Sequence, residues 1–338
     1  METRPLLDVG ATAEALEEAY GITVAEIVFL PLGADPEAAA WRVSVANGPP
    51  LFLKTRHGRF DAEVLAVSRY LRDAGIEAVL APVPTRKGKL FVDADGIALI
   101  LYPFVAGRSG FDVALEPAAW RALGAALNRI HAAKLPERIA RHLGAEAFGG
   151  EWRDRVRAFL DTASKPARHD PVAARLAEVL LARAGDVERI VSRAEALATS
   201  LRGRKTRTVL CHTDLHAGNV LVGPEGAVHI VDWDSPRLAP PERDLMFIGG
   251  GVGGAWNEAW EAEAFYEGYG HTGIDAEALA YYRYERIVED IAVTCELVFG
   301  GEAESRAESL AQLLAQWRAG DVIEVADATH DRLLAGEA

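Results

Sequence analysis

Cysteine is nearly missing: the 338 residues contain two, Cys211 and Cys295. Two thiols cannot staple a disulfide framework, so reduced cysteines in a cytoplasmic protein are expected. Long apolar runs are missing as well. No stretch approaches the ~20 residues that a membrane-spanning helix requires, and no membrane partner is expected. The opening Met-Glu-Thr-Arg-Pro-Leu-Leu-Asp has too few apolar residues for a secretory signal. Positive charge is short: 36 Lys and Arg against 50 Asp and Glu give a net charge of −14. The shortage is local. From Glu225 onward there are 23 acidic and 7 basic residues, whereas 151–207 carries 13 basic and 8 acidic. Such an acidic third disfavours nucleic acid and anionic surfaces. It suits a cationic small molecule, or simply a solvated acidic surface.

What is present is ordinary globular material, 50% hydrophobic and 25% charged. The length suggests two domains or one large bilobal one at ~150 residues per domain. Residues 11–20 read as a helix. Alternating segments at 27–32, 41–46 and 51–54 read as strands between Gly, Pro and Asn turns. A helix is expected over 60–74 and two more strands at 90–92 and 97–104. After Gly107 the texture turns helical, at 117–133, 151–160 and 172–201. A short β island follows at 208–212, 219–222 and 228–231, and the chain is helical again from 257.

The densest polar cluster is Cys211-His-Thr-Asp-Leu-His-Ala-Gly-Asn219, lying between two β segments. The strand pattern 228–231 then ends in Asp232-Trp-Asp234. A hairpin brings the loop with Asp214 and Asn219 beside the strand end with Asp232. Carboxylates and an amide oxygen converging there make a hard, all-oxygen site of the kind that suits Mg²⁺ and phosphates.

His212-Thr-Asp-Leu-His-Ala-Gly-Asn219 followed by Ile230-Val-Asp-Trp-Asp234 resembles the catalytic core of the aminoglycoside phosphotransferase family. Leu238-Ala-Pro-Pro-Glu-Arg-Asp-Leu-Met-Phe-Ile-Gly-Gly-Gly251, Phe265-Tyr-Glu-Gly-Tyr-Gly270 and the stretch from Tyr281 to Ile291 resemble its spectinomycin phosphotransferase branch. The resemblance is close over 205–295 and a matter of pattern in the first hundred residues. It implies an α+β, bilobal, protein-kinase-like fold: a small antiparallel sheet lobe over 1–103 and a larger helical lobe over 104–338. It further implies ATP and Mg²⁺ as cofactors and transfer to a hydroxyl of a small polyol or aminocyclitol, a cationic one such as an aminoglycoside-like antibiotic, as in resistance or self-protection. By the same likeness Asp214 orients the acceptor hydroxyl, Asn219 and Asp232 hold the metal, and Asp244 braces the catalytic loop. Thr213 departs from the family's usual Gly, and Thr disfavours positive φ.

Such a lobe needs a Lys for the nucleotide phosphates, held by a Glu from the next helix. Lys54 ends a strand pattern, and Glu63 follows nine residues later. The loop 30–37, with Gly33 its one glycine, occupies the place of the phosphate-covering loop. The hinge falls at 102–107, where Tyr102, Pro103 and Phe104 would meet adenine.

Other readings compete. Gly249-Gly-Gly-Val-Gly-Gly254 matches G-x-G-x-x-G but lacks the strand that gives the pattern meaning. His212, Asp214 and His216 with His229 and Asp232 could form a mixed-ligand hydrolase centre. A metabolic kinase for a sugar or amino alcohol would share every catalytic residue named. His131 reads as a packed core histidine and Cys211 as strand filler. Around 281–295, apolar residues at 284, 287, 288, 291, 292 and 295 make one helical face. Glu285, Glu289 and Asp290 fall on other faces and, with Asp234, are candidates for the acceptor's ammonium groups. The alternative is a solvated face with an i,i+4 pair, Arg286–Asp290.

Overall fold

A computed structural model describes residues 7–33, 37–58, 60–165, 170–270, 273–300, 305–318 and 320–336. The chain divides into two units. The first comprises Met1–Ala119, Ala133–Gly144 and Gly218–Pro236; the second comprises Trp120–Ala132, Ala145–Ala217 and Arg237–Ala338. Residues 102–107 therefore lie inside the first unit, and the chain enters that unit three times rather than once.

The first unit is built on five antiparallel strands: β1 (Val24–Leu30), β2 (Ala38–Val45), β3 (Leu51–Arg56), β4 (Val92–Ala94) and β5 (Ile97–Pro103), in the order β1-β2-β3-β5-β4. Alternation along β2 and β3 sends Trp41, Val43 and Leu53 into a core with Leu16, Ile27, Leu99 and Leu101. Lys54 and Arg56 occupy the other face of β3, two residues apart. The helix Val9–Tyr20 covers the core side; Asp8 caps it by accepting from the Ala11 amide, and Gly21 ends it at φ 70°. The helix expected over 60–74 starts later. Asp61 accepts from the Glu63 amide, one 3₁₀ turn runs over Ala62–Val64, and the α-helix is Leu65–Asp73.

Two returning segments complete the unit. Val220–Val222 and Val228–Ile230 form the expected hairpin, to which Arg108–Ser109 adds a third strand. The hairpin is tied to the segment after the Leu65–Asp73 helix: the Ile230 amide donates to the Ala78 carbonyl at 2.6 Å, and the Leu80 amide donates to Ile230 at 3.0 Å. That tie delivers Asp232 to the sheet that carries Lys54.

The second unit is helical. Its longest helix, Ala276–Gly300, packs against Glu151–Ala163, Ala184–Arg202 and Val322–Ala335. Tyr284, Ile287, Val288, Ile291, Ala292 and Cys295 are all buried, as the spacing predicts. Tyr281, Tyr282, Arg283 and Glu285 are buried too, so more than one face of this helix is covered. The helical stretch 172–201 is two helices, Pro171–Ala182 and Ala184–Arg202, parted at Arg183, whose backbone leaves the helical region. Val209–Cys211 pairs with Arg237–Ala239, so the β island divides between the units. Gly124 and Gly268 let the helices Pro117–Ala132 and Ala259–Tyr269 approach so closely that a Cβ on either would strike the other's backbone. Among the described residues no helix is long and apolar enough to cross a membrane.

Candidate functional site

The unit boundary passes between Ala217 and Gly218, inside the motif 212–219. Asp214 belongs to the second unit; Asn219, Asp232 and Asp234 belong to the first.

In the first unit the Lys54 Nζ lies 2.8 Å from Asp232 Oδ1 and 2.7 Å from Asp234 Oδ2. Burial disfavours the ammonium, but the two carboxylates outweigh it and hold its pKa above the ordinary value. Arg56 also pairs with Asp234. Arg56 was not singled out in the sequence, although its position two residues beyond Lys54 puts it on the same strand face. Glu63, the expected partner of Lys54, stands exposed on the 3₁₀ turn, and the ammonium meets the Asp232-Trp-Asp234 carboxylates instead. Asp234, a candidate for the acceptor, is engaged by these two cations.

Asn219 is buried at the end of the 3₁₀ turn Ala217–Asn219, where its carbonyl accepts from the Val231 amide at 3.0 Å. Asp232 sits at φ 62°, a left-handed backbone that costs a non-glycine residue ~1–3 kcal/mol. The Trp233 indole is buried and donates to the Ile230 carbonyl, which anchors that turn. An amide and a carboxylate make an all-oxygen donor pair that fits a hard divalent cation. Tyr102 is half-buried, its ring edge-on to Phe52, and burial beside Asp234 and Asp232 pushes its phenol far up, so it stays neutral. Pro103 is exposed and closes β5 against Leu51; the Phe104 amide donates to the Pro50 carbonyl at 3.3 Å. Residues 34–36 of the loop 30–37 lie outside the described residues.

In the second unit Asp214 Oδ1 accepts from Arg286 Nη1 at 2.6 Å, and Oδ2 lies 3.5 Å from His216 Nε2. Burial pushes this carboxyl up, but His216 and Arg286 overcome it and hold it well below the usual carboxylate range. The loop before it is strained: Thr213 adopts φ 79°, the conformation its β-branch disfavours. Asp244 holds that turn in place. Its fully buried carboxylate accepts from the His212 amide at 2.8 Å and the Thr213 amide at 2.7 Å. His131 supports Asp244 in turn, with Nε2 3.0 Å from it and Nδ1 2.8 Å from the Tyr269 hydroxyl. The core histidine expected at 131 is thus also the second link of the loop's brace.

His131, Cys211 and Asp244 are the one group of possible metal ligands close enough to share an ion among the described residues. It is a poor metal site: both His131 nitrogens are engaged, and Asp244 already accepts two backbone amides. The His/Asp set of the hydrolase reading forms no such group.

The acceptor candidates on Ala276–Gly300 are each matched by an arginine. Glu285 is buried against Arg153, Glu289 lies 3.6 Å from Arg243 Nη2, and Asp290 is 2.9 Å from Arg286 Nε and accepts from Gln316 at 2.7 Å. Glu285 is a structural partner in the core rather than a surface anion. Burial drives its carboxyl up to about 7, against the pull of Arg153. Replacing Arg153 with Met leaves that carboxyl buried and unpaired and should cost roughly 3–5 kcal/mol. The folded pKa lies above the ordinary carboxylate value, so stability is lost as pH rises through that window. Urea midpoints of Arg153→Met should therefore fall further behind the wild type at pH 8 than at pH 5. A pH-independent gap would show that Glu285 is not the group responsible.

Comparison with known proteins bears on the whole arrangement. Residues 28–286 match the model of the Phosphotransferase enzyme family. The chain belongs to that family. The crystal structure of spectinomycin phosphotransferase APH(9)-Ia in complex with ADP and spectinomycin is similar over 97% of this chain and 99% of that one, at 37% identity and a TM-score of 0.90. The AMP-bound complex of the same enzyme matches at 35% identity, over 96% and 99% of the two chains, with a TM-score of 0.87. Protein StrN of Streptomyces griseus is 27% identical over 246 residues, 71% of this chain and 74% of StrN. Choline kinase LicA from Streptococcus pneumoniae shares the fold at 15% identity and a TM-score of 0.57, covering 94% of this chain and 98% of that one. The fold is kinase-like and α+β, and the chain is a phosphotransferase with an alcohol group as acceptor.

Proposed function

We propose that this phosphotransferase moves the γ-phosphoryl group of ATP to a hydroxyl of a cationic aminocyclitol antibiotic of the spectinomycin type, in the cytoplasm. The observation that carries this reading is the 37% identity, over nearly the whole of both chains, to an enzyme crystallised with ADP and spectinomycin. Lys54, with Arg56 beside it, meets the phosphates, and the segment 102–107 meets the adenine. Asn219 and Asp232 hold Mg²⁺, which neutralises phosphate charge when bound. Glu63 keeps the family role of supporting Lys54 only if Lys54 leaves its carboxylate partners when nucleotide arrives.

Asp214 orients the acceptor. The hydroxyl oxygen attacks the γ-phosphorus, the bond to the β–γ bridging oxygen breaks, and ADP leaves with that electron pair. The hydroxyl proton passes to the Asp214 carboxylate. A carboxylate held this far below the usual range is a weak base, but a loose transition state asks for positioning and late proton removal. Two thiols that are free and buried suit a reducing compartment.

Release of ADP by the purified protein with Mg-ATP tests the reading across spectinomycin, other aminoglycosides, choline, ethanolamine and simple sugars. Stimulation by spectinomycin alone is expected. Stimulation confined to an amino alcohol or a sugar would replace it with a metabolic kinase. Zinc-dependent turnover without ATP would instead revive the hydrolase.

A further inference from the structure

The sequence offered Arg286 only as half of an alternative i,i+4 pair with Asp290, yet it connects three parts of the second unit. From the helix Ala276–Gly300 its Nη1 donates to Asp214 Oδ1 at 2.6 Å, and its Nε lies 2.9 Å from Asp290 Oδ1. The guanidinium lies over the Phe247 ring, 5.7 Å from the centroid. Asp290 is itself held by Gln316 Nε2 at 2.7 Å. A planar cation fixed by a carboxylate on one edge and an aromatic face has little freedom left to lose.

We infer that Arg286 is a positioning residue for phosphotransfer, fixing the orientation of the Asp214 carboxylate from its Oδ1 side so that the acceptor hydroxyl meets a preset geometry. The inference rests on the role proposed above for Asp214. Arg286 forms and breaks no covalent bond in this scheme. It also has an electrostatic consequence. Among the described residues, the titratable and charged groups facing Asp214 include His216 on its own loop and Arg286 from the long helix, with Glu289 and Asp290 flanking Arg286 and Arg243 beside Glu289. His212 Nδ1 accepts from the Asp214 amide at 3.3 Å. Arg286 lowers the pKa of Asp214 through its charge and its hydrogen bond, so its loss moves the protonation of Asp214 to higher pH.

The test compares kcat against pH for wild type, Arg286→Met, Arg286→Lys and the double variant Arg286→Met with Asp290→Asn, using Mg-ATP and spectinomycin. The double variant removes the carboxylate that Arg286→Met strands, so a fold remains measurable if the single variant is unstable. Expected for the Met variants are a kcat at least ~10-fold lower, a nucleotide KM within about 2-fold of wild type, and an acidic limb of kcat displaced to higher pH than in wild type. Lys keeps the charge but cannot span both carboxylates, so the limb should return while kcat recovers only in part. A merely structural arginine would not move the limb. Wild-type kcat and limb in a folded Met variant, beside an inactive Asp214→Asn, overturns the role of Arg286 alone. Wild-type turnover in Asp214→Asn overturns the role of Asp214, and this inference with it.

Discussion

Turnover should fall by at least ~10²-fold when Asp214 becomes Asn or Ala, with nucleotide affinity close to wild type. Asn keeps the shape of the side chain but can neither take the hydroxyl proton nor present two acceptor oxygens. Arg286 Nη1 and His216 Nε2 then face a neutral amide instead of a carboxylate. The nucleotide contacts proposed for Lys54 belong to the other unit and should be left intact. Steady-state rates and a nucleotide titration on the same preparation separate the two effects. Near-normal turnover in either variant would remove Asp214 from its role.

The second large effect should come from Asp232. Asp232→Ala deletes the carboxylate of the proposed oxygen donor pair, and the Mg²⁺-dependent part of nucleotide binding should vanish. The same change removes one of the two carboxylates on Lys54 Nζ, leaving Asp234 at 2.7 Å. Metal-free nucleotide affinity should therefore hold or rise slightly, since the phosphates face one competitor fewer for that ammonium. Calorimetric titration of ADP with and without Mg²⁺ reads both terms. A variant in which Mg²⁺ strengthens binding as much as in wild type would show that Asp232 is not the metal's ligand. Loss of metal-free binding too would point to a damaged turn, because Ala at φ 62° lacks the side chain that tolerates it.

The parts of the site legible in the sequence are those that local chemistry specifies. A hairpin between Val220–Val222 and Val228–Ile230, Asp232 at its end and Lys54 on a strand can each be read within a dozen residues. Asp244 as a brace came from family likeness, and the buried amides of His212 and Thr213 supply its physical reason. The acidic residues of the long helix were read without their arginine partners, for an equally clear cause. Helical periodicity distinguishes apolar from polar faces, but it does not distinguish a solvated acid from one buried against an arginine. Glu285 with Arg153 is separated by more than a hundred residues, and no window of sequence contains both.

Spacing and residue type alone determine a mainly antiparallel first sheet, a helical remainder, and a polar loop built from His212 to Asn219. They do so because alternation, helical period and turn chemistry act over a few residues. Packing at long range decided the rest. It set Lys54 against Asp232 and Asp234, drew Arg286 onto Asp214, and stacked Tyr269, His131 and Asp244 behind the strained Thr213 turn. Those pairings depend on which helices approach closely enough, as Gly124 and Gly268 allow theirs to do. Charges buried together must find one another, and where they meet is a property of the folded chain.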